Sequence, residues 1–217
     1  MGRSAVVLAG GDGPPGSLAE RLAPDVLVVA ADSGLHHAEA LGLVVDLVVG
    51  DLDSVEPAVL AAAEAAGARI ERHPAAKDAT DLELALDAAV LGGAEHITVV
   101  GAGGGRLDHL LANFAVLGHP RFAAARIEAV VDDARVAVVH GGGSVVVAGT
   151  VGAVVTLLAV GGPARGITTT GLRFPLAGDD LEAGGSRGVS NVVEAVPAAV
   201  AVTAGTVFVI EPEVYGA

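Results

Sequence analysis

The chain has 217 residues, of which 52% are hydrophobic, with a formal net charge of −14 and no cysteine. This length suits one large domain or two small ones, and the lack of cysteine excludes disulfides, thiolate zinc sites and cysteine nucleophiles. The acidic balance argues against a nucleic-acid surface, which needs clustered lysines and arginines. No apolar run approaches the ~20 residues of a membrane span, and the N-terminus lacks the features of a signal peptide. We therefore expect a cytoplasmic protein with no nucleic-acid or membrane partner.

Residues 1–132 alternate between short apolar runs and helical patterns. Nearly continuous Val/Leu/Ile-rich runs are typical of strands buried on both faces, and they occur at 5–11, 25–32, 44–51, 96–104 and 126–133, with a weaker one at 68–74. Helical patterns occupy 54–67, 80–92 and 107–118. The first starts at a possible cap serine, Ser54, and the second has Thr80 and Glu83 at the spacing of a capping box. This alternation predicts a parallel sheet with helices on its faces.

The texture of the sequence changes after about residue 133. The runs that follow, such as "SVVVAG", "VVTLLAVGG" and "AAVAVTAGTVFVIE", have the length of strands and are separated by glycine clusters. Such a pattern indicates antiparallel β-structure. The predicted fold class is therefore α/β, with an N-terminal parallel-sheet, Rossmann-like α/β domain at 1–132 followed by a C-terminal antiparallel β-sandwich or barrel domain at 133–217.

Acidic and glycine residues of the first domain collect where predicted strands end. Asp32 follows one apolar run, Asp51 and Asp53 follow the next, and "GAGGGRLDH" at 101–109 follows another. Each feature alone is common in turns and helix caps. Because ligands of open parallel sheets bind at the carboxyl ends of the strands, we expect these residues to converge on one site.

A fourth polar cluster, "KDATDLE" at 77–83, begins a predicted helix. Acids at a helix N-terminus are favoured by the helix dipole, which accounts for Asp81. The dipole does not account for Lys77, the only lysine of the chain. A lysine that binds phosphate would suit this position.

These residues favour a site that binds a hard metal ion together with a phosphate. Four carboxylates on one sheet edge need a counter-cation, and hard oxygen ligands without cysteine or clustered histidine favour Mg²⁺, with Ca²⁺ or Mn²⁺ possible; the four are Asp32, Asp51, Asp53 and Asp81. "GAGGGR" offers a phosphate unhindered backbone N–H groups, a helix N-terminus and an arginine. We expect a metal ion that holds a polyphosphate.

Other nucleotide-binding classes fit less well. The P-loop motif is absent, and the dinucleotide fingerprint G-x-G-x-x-G would need glycine at the position of Arg106. A second glycine loop, "LAGGDGPP" at 8–15, lies near the nucleotide or is only a turn. His36 and His37 fit surface or packing positions better than ligand positions.

Together the motifs resemble the thiamine pyrophosphokinase family. "ADSGLHHAEALG", "DLVVGDLDSV", "KDATDLELAL" and "GAGGGRLDHLLAN" are similar to the family's acidic and glycine-rich motifs, in the same order. In the second domain, "GITTTGLRFPL" and "GGSRGVSN" resemble two further motifs. Ser33 stands where glycine is usual, and Phe174 stands where tyrosine or tryptophan is usual.

The resemblance implies a diphosphokinase that transfers the diphosphoryl group of ATP to the hydroxyl of thiamine. Asp32, Asp51, Asp53 and Asp81 would surround Mg²⁺, and Asp51, Asp53, Asp81 and Arg106 would be catalytic. An aspartate of the site could accept the hydroxyl proton, and the sequence does not say which one. The nucleotide would be bound by Lys77, Asp78, Thr80, Gly101, Gly103, Gly104, Gly105, Arg106, Asp108 and His109. Thiamine would contact Phe174, Ser190 and Asn191. The family also implies a homodimer with the thiamine site at the subunit interface.

Two alternatives remain open at this level. One is a Mg²⁺-dependent diphosphokinase that acts on another heterocycle, such as a pterin. The other is a catalytically silent module that binds nucleotide or thiamine; four converging carboxylates argue against it.

Overall fold

A computed structural model describes residues 2–216 and shows a mixed α/β protein that divides into two compact units. The first unit comprises Met1–Asn113 and Ala129–Asp132, and the second comprises Phe114–Glu128 and Asp133–Ala217. Among residues 2–216, no helix is both long enough and apolar enough to cross a membrane.

The first unit is built on five parallel strands. Their spatial order is β4-β3-β2-β1-β5, and their bounds are Arg3–Leu8 (β1), Leu27–Ala31 (β2), Leu47–Gly50 (β3), Arg69–Arg72 (β4) and Ala94–Val100 (β5). The inner strands are buried along nearly their whole length. Continuous burial explains why these strands read as unbroken apolar runs rather than as alternating ones.

Four α-helices accompany the chain through this unit: His37–Ala40 (α1), Pro57–Ala65 (α2), Asp81–Leu91 (α3) and Leu107–Leu117 (α4), whose last residues belong to the second unit. Short 3₁₀ helices cover Ala19–Arg21, Asp32–His36 and Pro120–Phe122. The capping prediction for α3 is confirmed, since Thr80 Oγ1 accepts the N–H of Glu83 at 3.2 Å. The predicted start of α2 at Ser54 is wrong. The helix begins at Pro57, whose missing N–H and fixed φ suit the first helical position.

The second unit is antiparallel. Its strands are β7 (Ala134–His140), β8 (Ser144–Val146), β9 (Val154–Thr170), β10 (Ala177–Leu181), β11 (Asn191–Val192), β12 (Ala199–Ala201) and β13 (Ala204–Glu211), while β6 (Arg126–Val131) divides between the two units. The long strand β9 pairs with β10, β11, β12 and β13. The hydrophobic core of this unit is made of aliphatic side chains. Between Asp133 and Gly216 the structure contains no helix, as the sequence indicated.

A buried ion network fixes the end of β13 in this unit. Glu211 is only 2% exposed, and its Oε1 accepts the N–H groups of Ala148 and Gly149 at 2.6 and 2.9 Å. Its Oε2 lies 2.8 Å from Arg135 Nη1, and Arg135 Nε lies 2.8 Å from Glu128 Oε2. The buried carboxylate is therefore paired and hydrogen-bonded, as a buried charge must be.

Two predicted strands extend too far. Strand β1 ends at Leu8 and β5 ends at Val100, whereas the apolar runs suggested 5–11 and 96–104. The strands stop because glycine loops follow, and Gly101 has φ 75°, which does not fit a strand. These two loops form one side of the site described next.

Candidate active site

Three carboxylates converge in the first unit at the carboxyl ends of β2 and β3. Asp32, Asp51 and Asp53 each place an oxygen within 4.8 Å of the others. Asp32 Oδ2 accepts a hydrogen bond from Ser54 Oγ. Asp32 Oδ1 is buried and has no hydrogen bond within residues 2–216. A buried carboxylate oxygen without a partner, beside two further carboxylates, is a donor set that suits a hard divalent cation.

The backbone of this group is held in an uncommon conformation. Asp32 and Leu52 have φ values of 49° and 62°, in the left-handed region that non-glycine residues rarely adopt. Gly50 has φ 149°, and a Cβ built on it would lie 2.9 Å from Asp81 Oδ1 and 3.2 Å from Asp32 Cβ. Glycine at position 50 therefore leaves room for Asp32 and Asp81 to lie against the end of β3. Such concentrated backbone strain is typical of functional sites.

Lys77 lies among these carboxylates. Its Nζ is 3.0 Å from Asp81 Oδ1 and 3.6 Å from Asp51 Oδ2, and its side chain is only 14% exposed. Burial acts to lower the pKa of Lys77, but the ion pairs with Asp81 and Asp51 outweigh burial and raise it. Asp81 does not belong to the three-carboxylate group and is instead paired with Lys77.

Two neighbouring carboxylates respond differently to this environment. The N–H of Asp53 donates to Asp51 Oδ1 at 3.3 Å, and this bond lowers the pKa of Asp51, with help from the charge of Lys77. The charge of Asp51 in turn raises the pKa of Asp53. The repulsion between the Asp51 and Asp53 carboxylates therefore destabilises mainly the charged form of Asp53, and a bound cation would relieve that repulsion.

Two glycine loops, the first at residues 8–15 and the second at residues 101–106, lie side by side and are joined by backbone hydrogen bonds. The N–H groups of Ala9, Gly11 and Asp12 donate to Val100 O, Gly101 O and Gly103 O at 2.7, 2.9 and 3.0 Å. A side chain on Gly11 would collide with the carbonyl oxygen of Gly103. His37 Nε2 lies 3.0 Å from Gly11 O, so the start of α1 contacts the same loop. Of the two readings of residues 8–15, the structure favours a loop that is part of the cleft.

The resulting cleft has a volume of about 630 Å³ and brings together most of the predicted metal- and nucleotide-binding residues. Those that line it are Asp32, Asp51, Asp53, Lys77, Thr80, Asp81, Gly101, Gly103, Gly104, Gly105, Arg106 and His109. Asp78 and Asp108 are not among the lining residues. Asp108 instead pairs with Arg106, with Oδ2 2.6 Å from Nη2, and the pair raises the pKa of Arg106 and lowers that of Asp108.

Phe174, Ser190 and Asn191 lie close together in the second unit. Asn191 is buried, and its amide hydrogen-bonds both backbone groups of Phe174, a residue that is 62% exposed. Ser190 is exposed, has φ 57°, and donates its N–H to Thr156 Oγ1 at 3.0 Å. The Ser190 hydroxyl is therefore available, whereas the Asn191 amide is already engaged.

Several residues of the cleft escaped the sequence reasoning. Asn113 Nδ2 donates to Ala102 O at 3.0 Å and so anchors the second glycine loop to α4. Ser54, expected to cap a helix, binds Asp32 instead. Ser54 is the second-last residue of the motif "DLVVGDLDSV" and Asn113 is the last residue of "GAGGGRLDHLLAN", so their place in these motifs was the available signal. His37, expected to be a surface or packing residue, contacts the first glycine loop.

Comparison with known families places this chain among relatives with the same two parts. The family model for the catalytic domain of thiamin pyrophosphokinase matches residues 19–130. The model for the vitamin B1 binding domain of thiamin pyrophosphokinase matches residues 146–207. The chain belongs to the thiamin pyrophosphokinase family. This confirms the resemblance seen in the motifs.

Individual relatives found by sequence similarity are named thiamine pyrophosphokinase. Thiamine pyrophosphokinase 1 of Oryza sativa subsp. japonica is 33% identical over 158 residues, which are 69% of this chain and 59% of the rice protein. Thiamine pyrophosphokinase of Bacillus subtilis (strain 168) is 36% identical over 90 residues, or 42% of this chain and 38% of that protein. The chain thus spans less than two thirds of the length of these thiamine pyrophosphokinases.

Solved structures of thiamin pyrophosphokinases share the fold over nearly the full chain. The crystal structure of the Bacillus subtilis thiamine pyrophosphokinase has a TM-score of 0.83 at 22% identity and covers 97% of this chain and 99% of that one. The enzyme from Geobacillus thermodenitrificans has a TM-score of 0.78 at 28% identity and covers 95% and 96%. The first likeness, at this identity, speaks for the fold alone.

Proposed function

We propose that this member of the thiamin pyrophosphokinase family is a thiamine diphosphokinase, an ATP:thiamine diphosphotransferase that produces thiamine diphosphate and AMP. The observation that carries the proposal is the cleft of the first unit, which is lined by three carboxylates and by the two glycine loops. Carboxylates for a cation and backbone amides for phosphates are the two needs of ATP-dependent transfer. Both family models match the chain, and the relatives bear the name of this activity.

We place ATP as co-substrate with Mg²⁺ at the three carboxylates. Asp32, Asp51 and Asp53 would hold the ion, and the orphaned Asp32 oxygen and the raised pKa of Asp53 support that assignment. The bound ion would neutralise charge on the polyphosphate. Asp81 would act through Lys77 or at longer range, because it stands outside the three-carboxylate group.

The transfer itself needs positioning more than covalent help from the protein. The thiamine hydroxyl oxygen forms a bond to the β-phosphorus of ATP while the bond from that phosphorus to the α,β-bridging oxygen breaks. The bridging oxygen leaves on AMP with the electron pair, and a carboxylate of the cleft takes the hydroxyl proton. The glycine-loop amides and Arg106 line the cleft and would hold the phosphates in line.

We assign thiamine to Phe174 and Ser190 of the second unit, and describe the two units as a Rossmann-like α/β domain and a β-sandwich or barrel. The parallel and antiparallel pairings support this description. The domain boundary at 132/133 and the cytoplasmic location remain predictions.

The decisive experiment measures AMP formed from ATP and Mg²⁺ with and without thiamine. We expect thiamine-dependent AMP from the native chain and a loss of at least about a hundredfold for Asp51→Asn or Asp53→Asn, as for other groups that stabilise transition-state charge. Glu64→Gln on the exposed face of α2 is the matched control and should keep full activity. AMP formed with a pterin alcohol but not with thiamine, or tight binding without AMP, would overturn the proposal.

We further propose a homodimer in which each thiamine site combines the first unit of one chain with the second unit of its partner. The large exposed apolar side chains of the second unit, Phe174 and Val189 among them, support an interface there. Mixing and reassociating equal amounts of Asp51→Asn and Phe174→Ala chains should then raise activity above the average of the two parents, by up to about a quarter of native, because each mixed dimer keeps one intact site. Activity no higher than that average after reassociation, or a monomer by light scattering, would contradict this arrangement.

A further inference from the structure

The side-chain amide of Asn191 hydrogen-bonds the backbone of Phe174. Asn191 is 5% exposed at the start of β11. Its Oδ1 accepts the N–H groups of Phe174 and Val192 at 3.1 and 2.8 Å, and its Nδ2 donates to Phe174 O at 2.8 Å. A primary amide offers two donors and one oxygen with two lone pairs, so the oxygen is saturated and one donor is used. The pairing with both an N–H and a C=O also fixes the orientation of the amide.

The Phe174 ring is exposed although its backbone is firmly held. The N–H of Arg173 donates to Val192 O at 2.9 Å, so the segment is bound to β11 on both sides of the peptide link. Phe174 as a whole residue is nevertheless 62% exposed. An exposed aromatic face on an ordered backbone is suited to stack on a flat ligand, because little conformational entropy remains to be lost on binding.

We infer that Asn191 is a positioning residue that presents the Phe174 ring to the acceptor substrate, and that it is not itself a thiamine ligand. Resting on the proposed function, this inference divides the predicted thiamine contacts into two kinds. Phe174 and the Ser190 hydroxyl contact the substrate, whereas Asn191 acts through Phe174.

The chain itself supplies a spectroscopic test, since it contains no tryptophan. Phe174→Trp introduces a single indole at the exposed position, and its anisotropy and emission can be read without any ligand. In this background Asn191→Asp replaces the Nδ2 donor by an oxygen that faces Phe174 O. Asn191→Ser is measured beside it, because a buried carboxylate can prevent folding, and far-UV circular dichroism checks both. Ser190→Ala is the matched control for direct contact.

For the Asn191 variants we expect lower indole anisotropy without ligand and thiamine binding weakened about two- to tenfold, the range for losing one aromatic contact. Ser190→Ala should weaken thiamine binding with the ligand-free anisotropy unchanged. Folded Asn191 variants that bind thiamine more weakly while the indole signal stays native would overturn the inference, because Asn191 would then be a direct ligand. Folded Asn191 variants with native anisotropy and native thiamine affinity would overturn it as well.

Failure of the proposed function has a different signature. In that case the native chain forms no thiamine-dependent AMP, and thiamine does not change the indole emission of the Phe174→Trp protein. The ligand-free anisotropy of the Asn191 variants still decides whether Asn191 positions residue 174.

Discussion

Gly50→Ala tests whether the close approach of Asp81 to the backbone at position 50 matters for activity. The new Cβ would lie 2.9 Å from Asp81 Oδ1, about 0.5 Å inside ordinary van der Waals contact. Asp81 therefore has to move by about half an ångström, and Lys77 moves with it because the two are paired. Since a misplacement of about 1 Å can cost about a hundredfold in rate, we expect a loss of roughly tenfold in the rate of thiamine-dependent AMP formation.

Backbone strain has to be separated from this displacement. Alanine at φ 149° carries a cost of about 1–3 kcal/mol in the free energy of unfolding, whatever surrounds it. Gly162 provides a matched control, since it has φ 155° and no atom within 4 Å of its built Cβ. Gly162→Ala should lose stability to a similar extent but keep its rate.

The assay combines urea unfolding followed by circular dichroism, the rate of AMP formation, and the affinity for Mn²⁺ as a spectroscopic substitute for Mg²⁺. We expect both variants to lose stability and only Gly50→Ala to lose rate and Mn²⁺ affinity. If Gly50→Ala keeps both, or if Gly162→Ala loses rate equally, the steric reasoning about the carboxylates is wrong.

Two further predictions concern the second unit. Glu211→Gln should cost about 3–5 kcal/mol in the free energy of unfolding, because Arg135 would lose its buried partner, whereas exposed Glu213→Gln should change it by less than about 0.5 kcal/mol; similar losses in urea unfolding for both would contradict the role of burial. Burial lowers the pKa of His140, so the unfolded chain takes up a proton first as the pH falls below about 6.5 and native stability declines by at most about 1.4 kcal/mol per pH unit. His140→Gln should lack that part of the decline between neutral and mildly acidic pH, and an unchanged pH profile would refute it.

The order of strands and helices in the first unit could be predicted because its physical signals are local. Buried parallel strands read as apolar runs, and the Thr80 cap is set by residues three apart. The position of Asp32, Asp51 and Asp53 at strand ends followed from the same runs. Their convergence needed one further rule, that parallel strands present their carboxyl ends to one edge.

Other parts of the site depend on contacts between distant residues and have no local signal. The sequence suggested that Lys77 binds phosphate, and no local signal showed its ion pair with Asp51, which spans 26 positions and joins two loops. The Asn191 amide was expected to bind thiamine, and no local signal showed its hydrogen bond to Phe174, 17 positions away. Both binding roles stay predictions. An amide or an ammonium has the same chemistry in either role, so only the tertiary fold decides which partner it meets.

The charge balance of the cleft gives a reason why, under the proposed function, a cation would be needed between the carboxylates and the nucleotide. Asp32, Asp51, Asp53 and Asp81 carry four negative charges against one positive charge on Lys77, whose Nζ lies beside two of them. Arg106 lines the cleft but is paired with Asp108, so its charge is partly compensated before any phosphate arrives. A triphosphate entering this cleft without divalent ions would meet net repulsion. Under the proposed function, nucleotide binding would therefore be coupled to the metal: the carboxylates that repel free ATP would be the groups that bind the ion able to hold it.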